Sequence, residues 1–266
     1  MRTRRRPPPK DHEAVPLPIW GELLFGVELA FLRISPVYWG YSLPRGNGSA
    51  VVLVPGFLGT DLYLTEFRAW LRRIGYKPYY SGIRVNAECP NLLIQQHLYA
   101  SIQQAYQSTR KKIHLIGHSL GGTMARAVAA QMPDRIASVI TLGSPIHALA
   151  GHASVLGVAE MIRKQILERH GRDVLPGCYT SRCTCAFLEA LRGDFPKSVR
   201  QTAIYTKADG ILDWRTCRTG DPSIDFEVSA THTGLVFSPI VYSVVAQRLA
   251  GKGPREIPCK TGSKSE

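Results

Sequence analysis

Three short apolar runs constrain the fold of this 266-residue chain more than anything else in it. They lie in "VVLVPG", "KIHLIG" and "VITLGSP", and each is stopped by glycine or proline. A run of four to seven residues that is apolar at successive positions suits a strand with both faces covered, as in a parallel sheet. Helical patterns stand between the runs. In "YLTEFRAWLRRIGY", Leu64, Phe67, Leu71 and Ile74 recur at helical spacing, with Thr65 a candidate opening residue and Gly75 at the end. "KPYYSGI" reads as a further short strand, and "CPNLLIQQHLYASIQQAYQSTRK" as a long amphipathic helix with Pro90 near its start. A helix from Ser119 to about Gln131 follows the second run, and "RQTAIYTKADG", "SIDFEVSATH" and "VFSPIVYSVVAQRLA" resume the alternation towards the end. The pattern predicts an α/β fold with a mostly parallel central sheet and helices on both faces. Residues 147–198 break the rhythm with the helical pieces "VLGVAEMIRKQILERHG" and "CAFLEALRG". An insertion that long after a strand predicts a helical cap or lid over the carboxyl edge of the sheet.

These expectations give a basic arm over residues 1–15, disordered, one domain over 16–250, and a flexible tail over 251–266. The arm begins "MRTRRRPPPK", with five basic residues and no acid, and contributes to a formal net charge of +13. Blocks of like charge are solvated arms. No zinc-finger spacing, RNP motif or basic zipper organises the charge, so nucleic acid is not an expected partner. Attraction to anionic membrane surfaces or to acidic substrates is compatible with the charge. "LPIWGELLFGVELAFLRIS" is the most apolar stretch, but Glu22, Glu28 and Arg33 interrupt it, and no cleavage-site pattern follows. It reads neither as a spanning helix nor as a signal peptide. Two readings remain: a helix packing its apolar side on the domain, or a peripheral membrane anchor. The expected location is the cytoplasm or the membrane periphery. Of six cysteines, Cys183, Cys185 and Cys217 suggest one disulfide joining the 183/185 region to Cys217, and free buried thiols are the alternative.

The chemistry concentrates in "KKIHLIGHSLGGTMARAVAAQ". Gly117-His118-Ser119-Leu120-Gly121 spell G-x-S-x-G, with an apolar strand before and an alanine-rich helix after. A serine hydroxyl is a weak nucleophile until a base takes its proton, and it must stand where a substrate reaches it. A sharp strand-to-helix turn presents it so, but brings the flanking chain close. Small residues two before and two after are therefore required, and Gly117 and Gly121 meet that need. The N–H of Leu120 is one donor for an oxyanion. The loop after the first run, "VVLVPGFLGT", offers the second through Phe57.

A base and an orienting acid should follow in the order Ser, Asp or Glu, His. His232, in "VSATHTGLV", comes after a strand candidate and before the last helix, which puts it at the sheet's carboxyl edge with Ser119. His147 competes, but precedes every plausible acid. His152 and His170 fall in the cap. In "AIYTKADGILDW", Asp209 directly follows a strand and is the first choice of acid. Asp213 is the second, with a helix or turn cap as its other reading, and Asp221 reads as a turn residue.

These residues resemble the α/β-hydrolase superfamily, and within it bacterial lipases and carboxylesterases. The resemblance runs from about Ala50 to Leu249 and rests on "VVLVPGFLGT", "IHLIGHSLGGTMAR", "VITLGSP", "YTKADGILDW" and "THTGLV". It implies an α/β-hydrolase fold, with Ser119 as nucleophile, Asp209 as acid, His232 as base, and the Phe57 and Leu120 amides as oxyanion donors. Two departures stand out. Pro55-Gly56 replaces the His-Gly of many relatives, and Ile146 before His147 weakens any role for His147. The implied activity is hydrolysis of carboxylic esters of small molecules or lipids through an acyl-enzyme. Acyl transfer by the same three residues is the alternative within catalysis, and a non-catalytic binding protein the alternative outside it. No cofactor and no metal ion is implied, since neither a phosphate loop nor a zinc or calcium motif occurs.

Overall fold

The computed structural model describes residues 13–146, 150–170 and 182–252. Six parallel strands form the central sheet: β2 (Ala50–Val54), β3 (Lys77–Tyr80), β4 (Ile113–His118), β5 (Ile136–Leu142), β7 (Arg200–Tyr205) and β8 (Asp225–Glu227). A separate two-residue strand, β1 (Glu13–Ala14), pairs in parallel with β6 (Ala150–Gly151). Residues 13 and 14 of the expected arm are thus ordered against the start of the insertion.

Successive side chains of a strand point to opposite faces, and both faces of this sheet are covered. Val51 and Leu53 enter one core with Leu32 of α1 (Phe25–Ile34), with Phe67 and Trp70 of α2 (Thr65–Arg73) and with Tyr242 and Val245 of α8 (Pro239–Leu249). Ala50, Val52 and Val54 enter the other. There they meet α3 (Pro90–Leu93), α4 (Tyr99–Thr109), α5 (Leu120–Gln131) and α7 (Ala186–Arg192), through Leu93, Leu98, Ile102, Met124, Val128 and Phe187. Residues 94–98 join α3 to α4 as a π-helical turn, so residues 90–109 run on as one helix. Each of these buried aliphatic side chains contributes about 1.5–3 kcal/mol by leaving water.

The strand order is β3-β2-β4-β5-β7-β8. The chain goes outward from β2 to β3, then returns to the other side of β2 for β4 and continues outward. The direction reverses between β2 and β4, and in open parallel sheets the crevice beyond the carboxyl ends at such a reversal is where ligands bind. Register keeps those ends level, with Val54 opposite Gly117, His118 opposite Leu142, and Leu142 opposite Ile204. The insertion between β5 and β7 carries the 18-residue α6 (Ala153–His170) and α7.

Two expectations change here. Cys89, Cys183, Cys185 and Cys217 are all buried and free, so no disulfide joins the 183/185 region to Cys217. Cys183 and Cys185 pack in the α5 and α7 core, whereas Cys217 lies in a small cluster with Tyr205 and Leu212. Cys178 and Cys259 lie outside the described residues. The N-terminal helix does not simply turn its apolar side inward, either. Leu32 is buried and Leu29 packs on the core, but Trp20, Leu23, Phe31 and Ile34 are 60–81% exposed. No described helix is long and apolar enough to cross a membrane.

Candidate active site

Ser119 stands at the joint between β4 and α5 with φ 52° and ψ −129°. A non-glycine residue held there stores about 1–3 kcal/mol of backbone strain, which persists only where the surroundings enforce it. Two backbone hydrogen bonds do so: Ser119 N–H donates to Leu142 O at 2.8 Å, and Gly122 N–H to Ser119 O at 2.9 Å. The neighbouring glycines leave the room that the turn needs. A Cβ on Gly117 would fall on the backbone of Gly121 and Gly122, and one on Gly121 on the carbonyl oxygens of Val54 and Pro55. The strand, the turn, the helix and the end of β2 are in backbone contact at this point.

Gly56 also comes close, since a Cβ there would lie 3.0 Å from Ser119 Cβ. The Pro55–Gly59 loop is pinned by the buried Asn86, whose side chain donates to Pro55 O at 2.8 Å and whose backbone exchanges hydrogen bonds with Leu58 and Gly59. Among the described residues the N–H groups of Phe57 and Leu120 have no acceptor.

Asp209 lies just beyond β7 and His232 in the loop after β8, at the same edge of the sheet as Ser119. His232 Nδ1 donates to Asp209 Oδ2 at 2.7 Å, and both residues are under 5% exposed. Asp209 Oδ1 accepts from the N–H groups of Ile211 at 2.9 Å and Leu212 at 2.7 Å, so the carboxylate is fixed from both sides. With Nδ1 carrying the proton, Nε2 of a neutral imidazole is left as the basic nitrogen. Gly143, in the loop after β5, makes room for the ring: its φ is +53°, and a Cβ there would lie 3.1 Å from His232 Nδ1. Ser119 Oγ and His232 form no direct hydrogen bond in this structure; such contacts commonly tighten only when substrate binds.

His118 joins the two halves. Its Nε2 donates to His232 O at 3.0 Å, so Nδ1 of the neutral ring accepts a hydrogen bond from the Tyr63 hydroxyl at 2.8 Å. The Tyr63 oxygen in turn accepts from Gly56 N–H at 2.9 Å. Every group in this chain is satisfied with the imidazole neutral. Burial, reinforced by the neighbouring His232, holds the His118 pKa down to about 3. Burial likewise raises the Tyr63 hydroxyl above its ordinary value.

The other candidates lie elsewhere. Asp213 caps the 3-10 turn Trp214–Cys217, accepting from Arg215 N–H at 3.0 Å. Asp221 accepts from Ser223 N–H in a turn. His152 Nδ1 accepts from Ser154 N–H at the start of α6, and His170 lies 3.3 Å from Glu88. His147 lies outside the described residues. No group of three or more His, Cys, Asp and Glu side chains among the described residues is placed to hold a metal ion. Sequence reasoning missed Tyr63, Asn86 and the bridging role of His118. It also treated Glu22 and Glu28 only as interruptions of an apolar stretch, although that misfit was itself a signal.

A family model for the alpha/beta hydrolase fold matches residues 100–175, which cover the elbow. A solved Bacillus licheniformis lipase, in its mature form, superposes with a TM-score of 0.52 at 14% identity, over 78% of this chain and 94% of that one. The chain has the alpha/beta hydrolase fold. Two triacylglycerol lipases resemble part of this chain in sequence, one from Pseudarthrobacter phenanthrenivorans and one from Burkholderia plantarii. Each is 36% identical over 104 residues, 36% of this chain. The match spans only 32% and 29% of the lengths of those relatives.

Proposed function

We propose that this α/β-hydrolase is a serine hydrolase of carboxylic esters. One observation carries the reading: the strained Ser119 stands at the carboxyl edge of the sheet beside a buried Asp209–His232 pair that leaves one imidazole nitrogen basic. The triacylglycerol lipases that match part of the chain support ester substrates.

In the proposed reaction, His232 Nε2 takes the Ser119 hydroxyl proton as Oγ attacks the ester carbonyl carbon. Asp209 holds the ring and stabilises the imidazolium that forms. The carbonyl oxygen becomes an oxyanion and takes hydrogen bonds from the free N–H groups of Phe57 and Leu120; losing one such donor typically costs about 10²–10³ in rate. Collapse of the tetrahedral species breaks the ester C–O bond, and the alcohol leaves with the proton from His232. Water, activated by His232, then attacks the acyl-Ser119 carbonyl and releases the carboxylic acid and free serine. We further propose that the enzyme works against a lipid surface. In support, Trp20, Leu23, Phe31 and Ile34 offer exposed apolar contact, and the sequence that precedes them is strongly basic.

Incubation with a fluorophosphonate probe, then turnover of dissolved p-nitrophenyl esters and of an ester emulsion containing anionic lipid, tests both statements. The wild type should label and turn over ester, and Ser119→Ala should lose both, with a rate loss of about 10⁴-fold or more. A wild type that neither labels nor hydrolyses any ester would overturn the hydrolase reading. Equal turnover of dissolved and emulsified ester would overturn the lipid-surface reading alone.

A further inference from the structure

The N-terminal segment crosses the two loops that carry Asp209 and His232, and it grips them with carboxylates. Glu22 lies in the 3-10 helix Ile19–Leu24. Its Oε1 accepts from Gly210 N–H and from His232 N–H, both at 2.9 Å, and its Oε2 accepts from Thr233 N–H at 2.8 Å. One side chain thereby ties the residue after Asp209 to His232 itself. Glu28 of α1 holds the base loop a second time, through Thr231 N–H at 2.8 Å and Thr231 Oγ1 at 2.7 Å.

The loops are shaped to receive these groups. A Cβ on Gly210 would lie 2.8 Å from Pro18 O and 3.0 Å from Glu22 Oε1, and a Cβ on Gly234 would overlap the Glu28 carboxylate. Both glycines lie where the N-terminal segment presses on the loops. The chemistry of the contact also selects the residue type. Three N–H donors converge on Glu22, and an ionised carboxylate offers two acceptor oxygens with about four lone-pair sites and no donor of its own. Hydrogen bonds to a charged acceptor are shorter and stronger than neutral ones. A purely apolar attachment would have no use for two acids in the most hydrophobic stretch of the chain.

We propose that Glu22, seconded by Glu28, is a positioning residue for the hydrolase reaction. It sets the distance between the acid loop and the base loop, so that the imidazole held by Asp209 presents its basic nitrogen to Ser119. The Glu22 carboxylate bonds to backbone N–H groups of the two loops and not to the Ser119, Asp209 or His232 side chains. The proposal rests on the serine-hydrolase reading, and its test keeps the two apart.

The experiment measures kcat and KM of wild type, Glu22→Ala and Glu22→Gln on a dissolved p-nitrophenyl ester, per active site titrated with fluorophosphonate, with Tm alongside. E22A leaves three N–H groups without their acceptor; displacement of a reacting group by about 1 Å costs roughly 100-fold. A fall of about that size in kcat, with KM within twofold of wild type and a matching fall in labelling rate, is the expected result. E22Q keeps the oxygen that serves Gly210 and His232 and should recover roughly tenfold. If E22A does not fold, E22Q against wild type decides by the same split between kcat and KM. A kcat per titrated site within twofold of wild type in whichever variant decides, whatever its Tm, would reduce Glu22 to an anchor for the N-terminal segment. A wild type without esterase activity sinks the hydrolase reading and this role with it, whereas an active wild type with normal variants sinks this role alone.

Discussion

The elbow around Ser119 and the paired loops around Asp209 and His232 reach the same edge of the sheet by different means. At the elbow the requirement falls within five residues, glycine at 117 and 121 around the strained serine, although Val54, Pro55 and Leu142 supply part of the backbone that imposes it. Asp209 and His232, the proposed acid and base, are 23 residues apart, and Glu22 bonds to both of their loops from 188 residues before Gly210 and 210 before His232. A local geometry writes itself into the spacing of the sequence, whereas a geometry assembled from distant segments leaves only isolated residues of the right type.

The largest test of that contrast is the choice of acid. Asp209 and Asp213 lie four residues apart and look alike in sequence, yet only Asp209 meets the imidazole, and Asp213 caps a 3-10 turn. Asp209→Asn should leave the ring in the wrong tautomer and lower kcat by about 10⁴-fold. Asp213→Asn should stay within a few-fold of wild type and close to it in stability, because an asparagine oxygen caps a helical turn about as well as a carboxylate. Both follow from steady-state kinetics and thermal melts. Equal kinetic losses would mean that the pair seen here is not the working one.

At the elbow the corresponding probe is a single methyl group. Gly121→Ala would drive a Cβ into the carbonyl oxygens of Val54 and Pro55, which cannot rotate away, and should cost about 3 kcal/mol as the β2 loop is displaced. Gly157 in α6 has open space around its Cα, so Gly157→Ala should be stabilising by roughly 0.5–1 kcal/mol. Urea midpoints of the two variants measure the difference. A Gly121→Ala protein as stable as wild type would show that the elbow tolerates a looser turn than its backbone contacts imply.

The same contrast explains what could be read beforehand. The order of strands and helices was legible because apolar runs buried on both faces are stopped by glycine or proline, as at Val54 and Leu142. Asp209 and His232, the proposed acid and base, stood out in the sequence because each follows a strand within a few residues. Tyr63 and Asn86 did not, because they act on the Gly56 loop only once the 3-10 helix Asp61–Leu64 and the 83–89 segment are folded against it. The disulfide expectation failed for a related reason: cysteines 32 and 34 residues apart in sequence sit in different cores. The N-terminal helix misled most, because its acids face the site and much of its apolar surface faces out.

His118 is where the two regions meet, and it gives the smallest and most general prediction. Burial holds its pKa down to about 3, and that of the buried His114 in β4 down to about 4. Both are far below the value near 6.5 of an unfolded histidine. Each binds fewer protons when folded than when unfolded, so stability is intact above pH ~6.5 and falls as acid draws protons onto the unfolded chain. The loss at pH 5 is roughly 2 kcal/mol for each histidine relative to pH 7.5. Urea unfolding at the two pH values should show it, and His114→Asn should remove about half of the drop. If His118 were instead protonated in the folded protein, Nδ1 could no longer accept from Tyr63, and the link from Gly56 to His232 would open. A stability that does not change down to pH 5 would therefore mean that these rings carry their protons when folded, and that the elbow and the base loop are joined less firmly than this chain of hydrogen bonds requires.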